Sequence, residues 1–446
     1  MIQEFRVTNF LSFRDETVIS FEPVGSGRKG KEHSNEKDPL LYSVNDKTKL
    51  LRLAIFYGAN ASGKSNILKA INFLFSFCKK KVAFPDAPTG VTPFLLNNVS
   101  KNFPTIFSIK FFVDNIRFLY TLELDSKRVH TESLYYYKTT QPVYLFKRTN
   151  NKLEFNTLEN NISATAKELL ELNCLPNLSF FASKAKVNLK LNIIDKVSRF
   201  FDEFYMDGDI GEERLFKAAE QYISESPDAK KHLIRFLQEA DFNISTISSK
   251  KEEIPVPEDI RNNLLADPST PEGLKEQLRQ KSTYNRVKTI FTHTVDVNGK
   301  SEEYQLATQE QSVGTRRVFA LESFLYVLEQ TDCISHIDEI ESSLHPNLVN
   351  LIISKYAKSR GSSSQLFIST HYTGLLDHQD LRDDCFWIVN KDHSGASTVQ
   401  SVGKTKDMRL TSKEKGYRLG KLGGVPNIAP DPEPNDFNYD LEPSLF

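Results

Sequence analysis

Residues 58–65 read Gly-Ala-Asn-Ala-Ser-Gly-Lys-Ser, which has the spacing of a phosphate-binding glycine loop, or P-loop. The apolar run Leu53–Tyr57 precedes this loop, and residues 66–71 follow it with a helix-like pattern. Strand, glycine loop and helix is the context in which main-chain N–H groups and a helix amino terminus surround phosphates. A chance glycine turn is the alternative, but it would not explain both flanks. The stretch therefore predicts a binding site for a nucleoside triphosphate.

Two residues at the end of the loop have expected roles of their own. Lys64 is predicted to reach the β- and γ-phosphates, and Ser65 is predicted to hold Mg²⁺. The residues of this segment that we expect to contact the nucleotide are Gly58, Asn60, Gly63, Lys64, Ser65 and Asn66.

Composition places few limits on the partners of the chain. Its 446 residues are enough for two or three domains, and a composition of 39% apolar and 26% charged residues is the ordinary one that we expect of a soluble protein. The net charge of −1 indicates neither a nucleic-acid nor a membrane surface, although a local basic surface is left open. Apolar runs such as residues 71–78 are too short to span a bilayer, and the first residues show no signal pattern. Four widely spaced cysteines without a Cys-x-x-Cys pair leave a zinc hook unsupported, so we expect a cytoplasmic protein with reduced thiols.

Strand-like patterns flank the P-loop on both sides. Residues 1–21 alternate roughly between apolar and polar, which predicts two antiparallel strands joined at residues 12–15. The polar, glycine- and lysine-rich stretch 23–47 is expected to be a surface loop. β-Branched and aromatic residues dominate residues 105–146 and predict an antiparallel meander.

The pattern changes near residue 160. Apolar residues at helical spacing predict that residues 160–285 are mostly helical, without the sustained heptads of a long coiled coil. A strand pattern returns at residues 289–297 and continues at 304–307 after Asn298-Gly299, the favoured turn of a two-residue hairpin.

The last residues, 429–446, are acidic and proline-rich and contain no lysine or arginine. One interpretation is a solvated, disordered tail. The other takes the apolar side chains of Phe437, Tyr439, Leu441 and Phe446 as anchors for a partner protein.

A second motif lies far beyond the P-loop. Residues 333–339 read Cys-Ile-Ser-His-Ile-Asp-Glu, an apolar strand that ends in two acids, as a Walker B motif does. Asp338 can then hold Mg²⁺, and Glu339 can orient or deprotonate the attacking water. An ordinary strand ending at a surface acid pair is the alternative. The long separation from the P-loop favours an ABC-type ATPase, whose two halves are split by an insertion, over a compact kinase or GTPase.

Two further elements agree with this interpretation. Residues 365–371 read as an apolar strand ending in Ser-Thr-His, so His371 could donate a hydrogen bond to the γ-phosphate, or could simply end the strand. Ser312 is expected to cap a helix that begins with Ser-Val-Gly-Thr. A helix amino terminus carrying Ser312 and Gly314 can bind a γ-phosphate that another subunit presents. The pair Arg316-Arg317 could add charge to that contact or form structural ion pairs.

Together these motifs resemble the ABC-type ATPases of the OLD and SMC-like group. More narrowly they resemble the RloA/AbiLi branch, which is related to the AriA ATPase of the PARIS anti-phage defence system. The stretches that carry the resemblance are Asn9–Phe13, the P-loop, Ser312–Thr315, Asp338–Pro346, Ser369–His371 and Tyr417–Asn427. The resemblance covers residues 1–155 and 285–427 well, and the middle only loosely around residues 178–183.

The resemblance implies an α/β fold, namely an ABC-type P-loop ATPase head with a mixed sheet, an antiparallel β meander and a mostly helical insertion. The expected divisions are an N-terminal half with Walker A at 1–155, a helical insertion at 156–288, a C-terminal half with the signature, Walker B and histidine switch at 289–428, and the acidic tail at 429–446.

The resemblance also implies ligands and partners. The ligands would be ATP, hydrolysed to ADP and phosphate, and Mg²⁺. The partner would be a second copy in a head-to-tail dimer or higher homo-oligomer, so that the P-loop of one subunit faces Ser312 and Gly314 of another. Ser342 and Ser343 would lie where the family's D-loop crosses that interface, whereas His345 is expected to be structural.

Members of the branch commonly act in bacterial anti-phage defence beside a separate toxic effector. A TOPRIM-type nuclease is one candidate effector, and a phage-encoded protein is a candidate trigger. The first functional hypothesis is therefore a sensor and scaffold that restrains an effector until a trigger releases it. The alternative is a DNA-acting ATPase of the SMC-like repair or chromosome-maintenance type. Near-neutral charge, the absence of a zinc hook and the lack of a long coiled coil favour the first.

Some positions depart from the family pattern. Leu11 stands where SMC-like proteins often have a basic residue, and no Q-loop glutamine can be placed near residues 92–94. Walker B carries Ser335 and His336 at positions that are usually apolar, which predicts that one face of this strand is less deeply buried. No intrinsic nuclease is expected, because only 75 residues follow His371 and their acids, Asp383, Asp384 and Asp392, fit loops around a strand at 385–390.

Overall fold

A computed structural model describes residues 1–24, 38–80, 84, 86–160, 162–267, 270, 272–281, 283–359, 362–404 and 412–426. The acidic tail, Asn427 and part of the expected surface loop at 23–47 lie outside these residues. Both interpretations of the tail therefore stay predictions.

The strands are β1 (Ile2–Thr8), β2 (Thr17–Ser20), β3 (Leu41–Ser43), β4 (Lys49–Leu51), β5 (Leu53–Tyr57), β6 (Thr105–Val113), β7 (Ile116–Leu124), β8 (Val129–Tyr137), β9 (Pro142–Thr149), β10 (Lys152–Phe155), β11 (Tyr205–Met206), β12 (Ile244–Pro255), β13 (Thr283–Val297), β14 (Lys300–Ala307), β15 (Ile334–Ile337), β16 (Gln365–Ser369), β17 (Phe386–Lys391) and β18 (Ser397–Ser401). The α-helices are α1 (Lys64–Cys78), α2 (Ala164–Asn173), α3 (Phe180–Lys184), α4 (Asn192–Glu203), α5 (Glu212–Glu225), α6 (Pro227–Glu239), α7 (Glu258–Ala266), α8 (Glu272–Gln280), α9 (Val313–Thr331), α10 (Pro346–Lys358) and α11 (Lys413–Arg418).

A seven-stranded antiparallel sheet contains the predicted hairpin and the predicted meander. Its strand order is β10-β9-β8-β7-β6-β1-β2, and β1 pairs with both β2 and β6. Buried and half-buried residues alternate along β7 and β8, as expected for a sheet with one face on the core. Both sequence predictions are confirmed. Part of the expected surface loop instead forms β3, which pairs with β4.

A second, six-stranded sheet carries the P-loop. Its order is β11-β15-β16-β5-β17-β18, and all neighbours are parallel except β17 and β18. Strands β5, β15 and β16 are buried along their whole length, because parallel sheets are covered on both faces. Their carboxyl ends meet at one edge, where sites form in sheets of this kind. The α/β fold class, with a mixed sheet and an antiparallel meander, is confirmed.

Aromatic side chains join the two large sheets. Phe200 of α4 stacks on Phe111 of β6, with ring centroids 4.4 Å apart. Phe75 of α1 contacts the rings of Phe201 and Tyr205 at 5.3 and 4.5 Å. All of these rings belong to one continuous buried core. Helix α1, which begins at the P-loop, therefore shares its packing with α4 and with the antiparallel sheet.

The region 160–285 contains two strands that the sequence pattern did not predict, the two-residue β11 and the longer β12. Helices α2–α8 lie here as expected, but β12 pairs with β13 from Ile244 opposite His293 to Pro255 opposite Thr283. Most of the second half of β12 is exposed, so no buried face imposes an apolar alternation on it. Beyond β13, the hairpin turn at Asn298-Gly299 is confirmed, and both residues have positive φ.

Among the described residues, no helix has the length and apolar character needed to cross a membrane.

Candidate functional site

The P-loop connects β5 to α1, and two of its glycines are required by close packing. A Cβ on Gly58 would lie 2.4 Å from both Ser62 Oγ and Val389 O of β17. Gly63 has a φ of +111°, and a Cβ there would lie 2.4 Å from Ser397 Oγ at the start of β18. A larger residue at either position would displace the loop from the edge of the sheet.

The turn of the first hairpin supports the loop from outside. Asn66 Nδ2 donates to Ser12 Oγ at 2.8 Å, and Ser397 N donates to Ser12 O at 2.7 Å. Ser397 Oγ in turn donates to the main-chain O of Ser62 at 2.5 Å. Sequence reasoning assigned Asn66 to nucleotide and missed Ser397, which carries no motif signal. Ser12 lies within the Asn9–Phe13 stretch, which could have indicated it.

Lys64 is buried in the loop. Its Nζ donates to Gly58 O at 2.9 Å and to Ala59 O at 3.0 Å. Burial lowers the pKa of Lys64, and the nearby carboxylates of Asp338 and Glu339 oppose that shift. Among the described residues, the hydrogen-bond partners of the ammonium group are therefore main-chain oxygens alone, and anionic side chains lie close by.

The structure brings Ser65 to the end of the Walker B strand. Ser65 Oγ donates to Asp338 Oδ1 at 3.0 Å, across a sequence separation of 273 residues. Ser369 Oγ, at the end of β16, donates to the same oxygen. The main-chain N–H of Glu339 donates to Ser369 Oγ at 2.9 Å. Ser369 thus holds the carboxylate of Asp338 and the main chain of Glu339, a role that sequence reasoning did not assign.

Glu339 and His371 lie at adjoining strand ends. Glu339 has a φ of +47° and is exposed, and no described side chain or main-chain group hydrogen-bonds to its carboxylate. His371 is also exposed, and its main-chain N–H donates to Glu341 Oε1 at 2.5 Å. Glu341 Oε2 accepts from Thr370 Oγ1 at 2.6 Å. Glu341, which sequence reasoning also missed, therefore fixes the segment that carries His371.

The prediction that one face of the Walker B strand is less buried is wrong. Ser335 is 0% exposed and His336 is 3% exposed. Strand β11 covers them: Ser335 Oγ donates to Met206 O at 2.7 Å, and His336 Nδ1 lies 2.7 Å from the Tyr205 hydroxyl. Polar side chains are tolerated in this buried strand because they have polar partners.

Ser312 caps α9 as predicted, since its Oγ accepts from Thr315 N at 3.0 Å. Ser312 is exposed, and a Cβ on Gly314 would lie 3.1 Å from Ser343 O, so the start of α9 adjoins the loop after Walker B. In the part of the chain that the structure describes, no hydrogen bond joins Ser312 or Gly314 to the P-loop. Within the described residues, the structure thus shows no hydrogen bond from these two residues to Lys64, Ser65, Asp338 or Glu339.

The arginines that follow differ in their surroundings. Arg317 lies 3.6 Å from Glu212, and its side chain is mostly buried, which is the structural ion pair that the sequence left open. Arg316 is exposed.

Other motif residues have local partners. His345 caps α10 by accepting from Asn347 N at 3.2 Å. Asp384 is buried against Arg382, and Asp392 accepts main-chain N–H groups in the turn between β17 and β18. No group of three or more His, Cys, Asp or Glu side chains within the described ranges is arranged to hold a metal ion.

Comparison with known proteins identifies a family to which the chain is similar. Residues 53–377 match the family model described as "AAA domain, putative AbiEii toxin, Type IV TA system". No curated protein matches the sequence. Similar solved structures include the SMC head domain from Thermotoga maritima, at 13% identity over 90% of this chain and 98% of that chain, with a TM-score of 0.40. Another is an Smc head domain with an extended coiled coil, bound to the C-terminal domain of ScpA, from Pyrococcus furiosus. It is 14% identical over 94% of this chain and 98% of that chain, with a TM-score of 0.38.

The family match begins at β5 and ends beyond β16, so it includes the P-loop, the Walker B strand, β16 and the His371 that follows it. It covers well over half of the chain. The chain belongs to this AAA domain family.

Proposed function

We propose that this chain binds and hydrolyses ATP in the presence of Mg²⁺, and that it acts as the sensor and scaffold of a bacterial anti-phage defence system. The observation that carries the ATPase proposal is the hydrogen bond of 3.0 Å between Ser65 and Asp338. It places a P-loop hydroxyl and a Walker B carboxylate together at the carboxyl edge of a parallel sheet, although 273 residues separate them in the sequence.

The donor set fits Mg²⁺. The Ser65 hydroxyl and the Asp338 carboxylate supply oxygen ligands, which this ion prefers, and the ion usually takes few protein ligands and keeps several waters. Bound Mg²⁺ would neutralise charge on the phosphates of ATP. Ser369 already holds the Asp338 carboxylate in place, so orienting this ligand for the ion costs little conformational free energy.

The remaining residues of the site fit the chemistry of hydrolysis. Lys64 carries its ammonium group inside the loop, where it can bind anionic phosphate oxygens. Glu339 has an exposed carboxylate free of hydrogen bonds from the described residues, which suits it to orient or deprotonate a water molecule. His371 follows the neighbouring strand β16 and is suited to donate a hydrogen bond to the γ-phosphate. Its segment is held by the two hydrogen bonds to Glu341.

A second subunit is proposed to complete the site. Ser312 and Gly314 lie at the exposed amino terminus of α9, and they make no hydrogen bond to the P-loop of their own chain among the described residues. Helix α9 has 19 residues, and its amino terminus presents free N–H groups and a favourable dipole to an anion. We therefore assign them to the γ-phosphate bound by a neighbouring copy in a head-to-tail dimer or higher homo-oligomer.

The defence role rests on the sequence resemblance to the RloA/AbiLi branch and on the description of the matching family, which names a toxin and a type IV toxin–antitoxin system. In this proposal the ATP-bound oligomer restrains a separate toxic effector, and a phage trigger releases it. Purification of the chain from its native operon should recover the effector with it. Binding of DNA with a steep salt dependence, and no copurifying protein, would instead favour a DNA-acting ATPase.

The ATP site itself is tested by replacing Lys64. Lys64→Ala should abolish ATP binding, because it removes the one P-loop cation, whereas Lys69→Ala on the exposed face of the same helix should bind as the wild type does. Binding is measured by equilibrium titration with a fluorescent ATP analogue. Equal affinities in the two variants would overturn the assignment of the site.

A further inference from the structure

Residues 205–212, here called the bridging segment, connect α4 to α5 and run from Tyr205 to Glu212. This segment contacts three separate elements of the proposed site: the Walker B strand, the P-loop helix and the helix that begins at Ser312. No motif marks it in the sequence, and the proposed function gives it no role.

The first contact is with the Walker B strand. Tyr205 and Met206 form β11, which pairs in parallel with Ile334 and Ser335 of β15. The Tyr205 ring stacks on the His336 ring at 5.9 Å between centroids, in addition to the 2.7 Å hydrogen bond. Gly208 then passes directly over this strand, since a Cβ there would lie 1.9 Å from His336 O. The bridging segment is therefore attached, by main-chain pairing and by side-chain contacts, to β15, the strand that immediately precedes Asp338.

The second contact is with the P-loop helix. Asn72 Nδ2 donates to Asp207 Oδ2 at 3.1 Å, and Ser76 Oγ on the same helix face donates to Asn72 Oδ1 at 3.0 Å. The other carboxylate oxygen of Asp207 accepts from Asp209 N at 3.0 Å and lies 3.6 Å from His336 Nε2. Asp207 thus touches α1 with one oxygen and the side of the Walker B strand with the other.

The third contact is with the start of α9. Arg317 Nη1 lies 3.6 Å from Glu212 Oε1, and the Arg317 side chain is only 11% exposed. Its Nε is buried without a hydrogen-bond partner among the described residues, and two carboxylates of the bridging segment, Glu212 and Asp209, act on its charge. Phe216 of α5 packs on Phe319 of α9 with ring centroids 4.9 Å apart. The carboxyl end of the bridging segment is therefore attached to the helix whose amino terminus carries Ser312 and Gly314.

We propose that the bridging segment couples the nucleotide site to the amino terminus of α9 within one subunit, and that Asp207 is its positioning residue. A change in the spacing of α1 and β15 is transmitted through Asp207, because this carboxylate is shared between them. The change then reaches α9 through Glu212 and Arg317. This inference rests on the proposed function, since it assumes that nucleotide binds at the P-loop and that Ser312 faces a second subunit.

Hydrogen–deuterium exchange with a non-hydrolysable ATP analogue and Mg²⁺ tests the coupling without relying on activity. In the wild type we expect protection at residues 58–65 and also at residues 205–212 and 312–317. Asp207→Ala should keep the protection of the P-loop and an affinity within about two-fold, but should lose the protection of residues 312–317. Arg317→Ala should lose it too, whereas Arg317→Lys, which keeps the charge that faces Glu212, should retain it.

Glu213→Ala is the matched control. Glu213 adjoins Glu212 but is exposed, and Lys217 is the one described cation within ion-pair distance of it. Arg286 and Arg316 act on its carboxylate only at longer range, so this variant should behave as the wild type does. Retained protection of residues 312–317 in Asp207→Ala would overturn the coupling. If Asp207→Ala fails to fold, Asn72→Ala, which removes the same hydrogen bond from the helix side, decides in its place. A wild type without protection at residues 58–65 would refute the proposed ATP site itself, which is a different failure.

Discussion

Replacement of Gly63 by alanine should damage nucleotide binding far more than it damages the fold. Gly63 is the last loop residue before α1, with φ of +111° and ψ of 12°. A Cβ at this position would lie 2.4 Å from Ser397 Oγ and 2.7 Å from Ser12 Oγ. Those two hydroxyls hold the loop through Ser62 and Asn66.

The size of the effect follows from these contacts. Backbone strain for alanine in a region that almost only glycine occupies is about 1–3 kcal/mol. Displacement of the two hydroxyls would weaken two hydrogen bonds at about 1 kcal/mol each. The sum is roughly 3–5 kcal/mol. The free loop can relax to avoid most of this strain, but a loop that surrounds phosphates cannot. At 1.4 kcal/mol for each factor of ten, ATP affinity should fall by about 100-fold or more.

Gly90→Ala provides a matched control. Gly90 also has a positive φ, of +91°, but no atom lies within 4 Å of an added Cβ. This variant should lower the thermal stability through strain and leave ATP affinity unchanged. Affinity is measured by calorimetric titration, and stability by thermal unfolding in the absence of nucleotide. If Gly63→Ala binds ATP within about three-fold of the wild type, the proposed packing of the nucleotide-bound loop is wrong.

Two further variants test hydrolysis and the composite site. Glu339→Gln should bind ATP with unchanged affinity and release phosphate at least about 100-fold more slowly, because only the group that activates water is removed; wild-type turnover would contradict that role. A mixture of Lys64→Ala and Gly314→Asp subunits should recover the ATPase activity that each variant lacks alone. In a mixed dimer, one of the two composite sites combines an intact P-loop with an intact α9 amino terminus. A mixture as inactive as its components would argue that each site forms within one chain.

Local features of the site could be predicted from the sequence because their partners are close in the chain. The P-loop is bounded by the strand before it and the helix after it, and both formed as predicted. The Ser312 cap depends on the N–H of Thr315, three residues away. The hairpin at Asn298-Gly299 depends on two positive φ angles that these residues tolerate.

Features that depend on distant partners could not be predicted in this way. The polar side chains of Ser335 and His336 in the Walker B strand are buried because Met206 and Tyr205 supply their partners, from 129 and 131 residues away. Strand β12 was missed because main-chain pairing with β13, rather than a buried face, defines it. Ser397 supports the P-loop only because β18 folds back beside it, a contact that spans 335 residues.

The buried polar side chains of the Walker B strand have a physical use, which is to fix its register. An entirely apolar strand could slip by one residue against its neighbours with little loss of burial, but a slip moves each side chain by about 3.3 Å and turns it to the other face. Such a slip would separate Asp338 from Ser65. It would also leave Ser335 and His336 buried without partners, at about 1–3 kcal/mol for each lost group. The two residues that depart from the usual apolar pattern therefore favour the one register in which the Walker B carboxylate meets the P-loop.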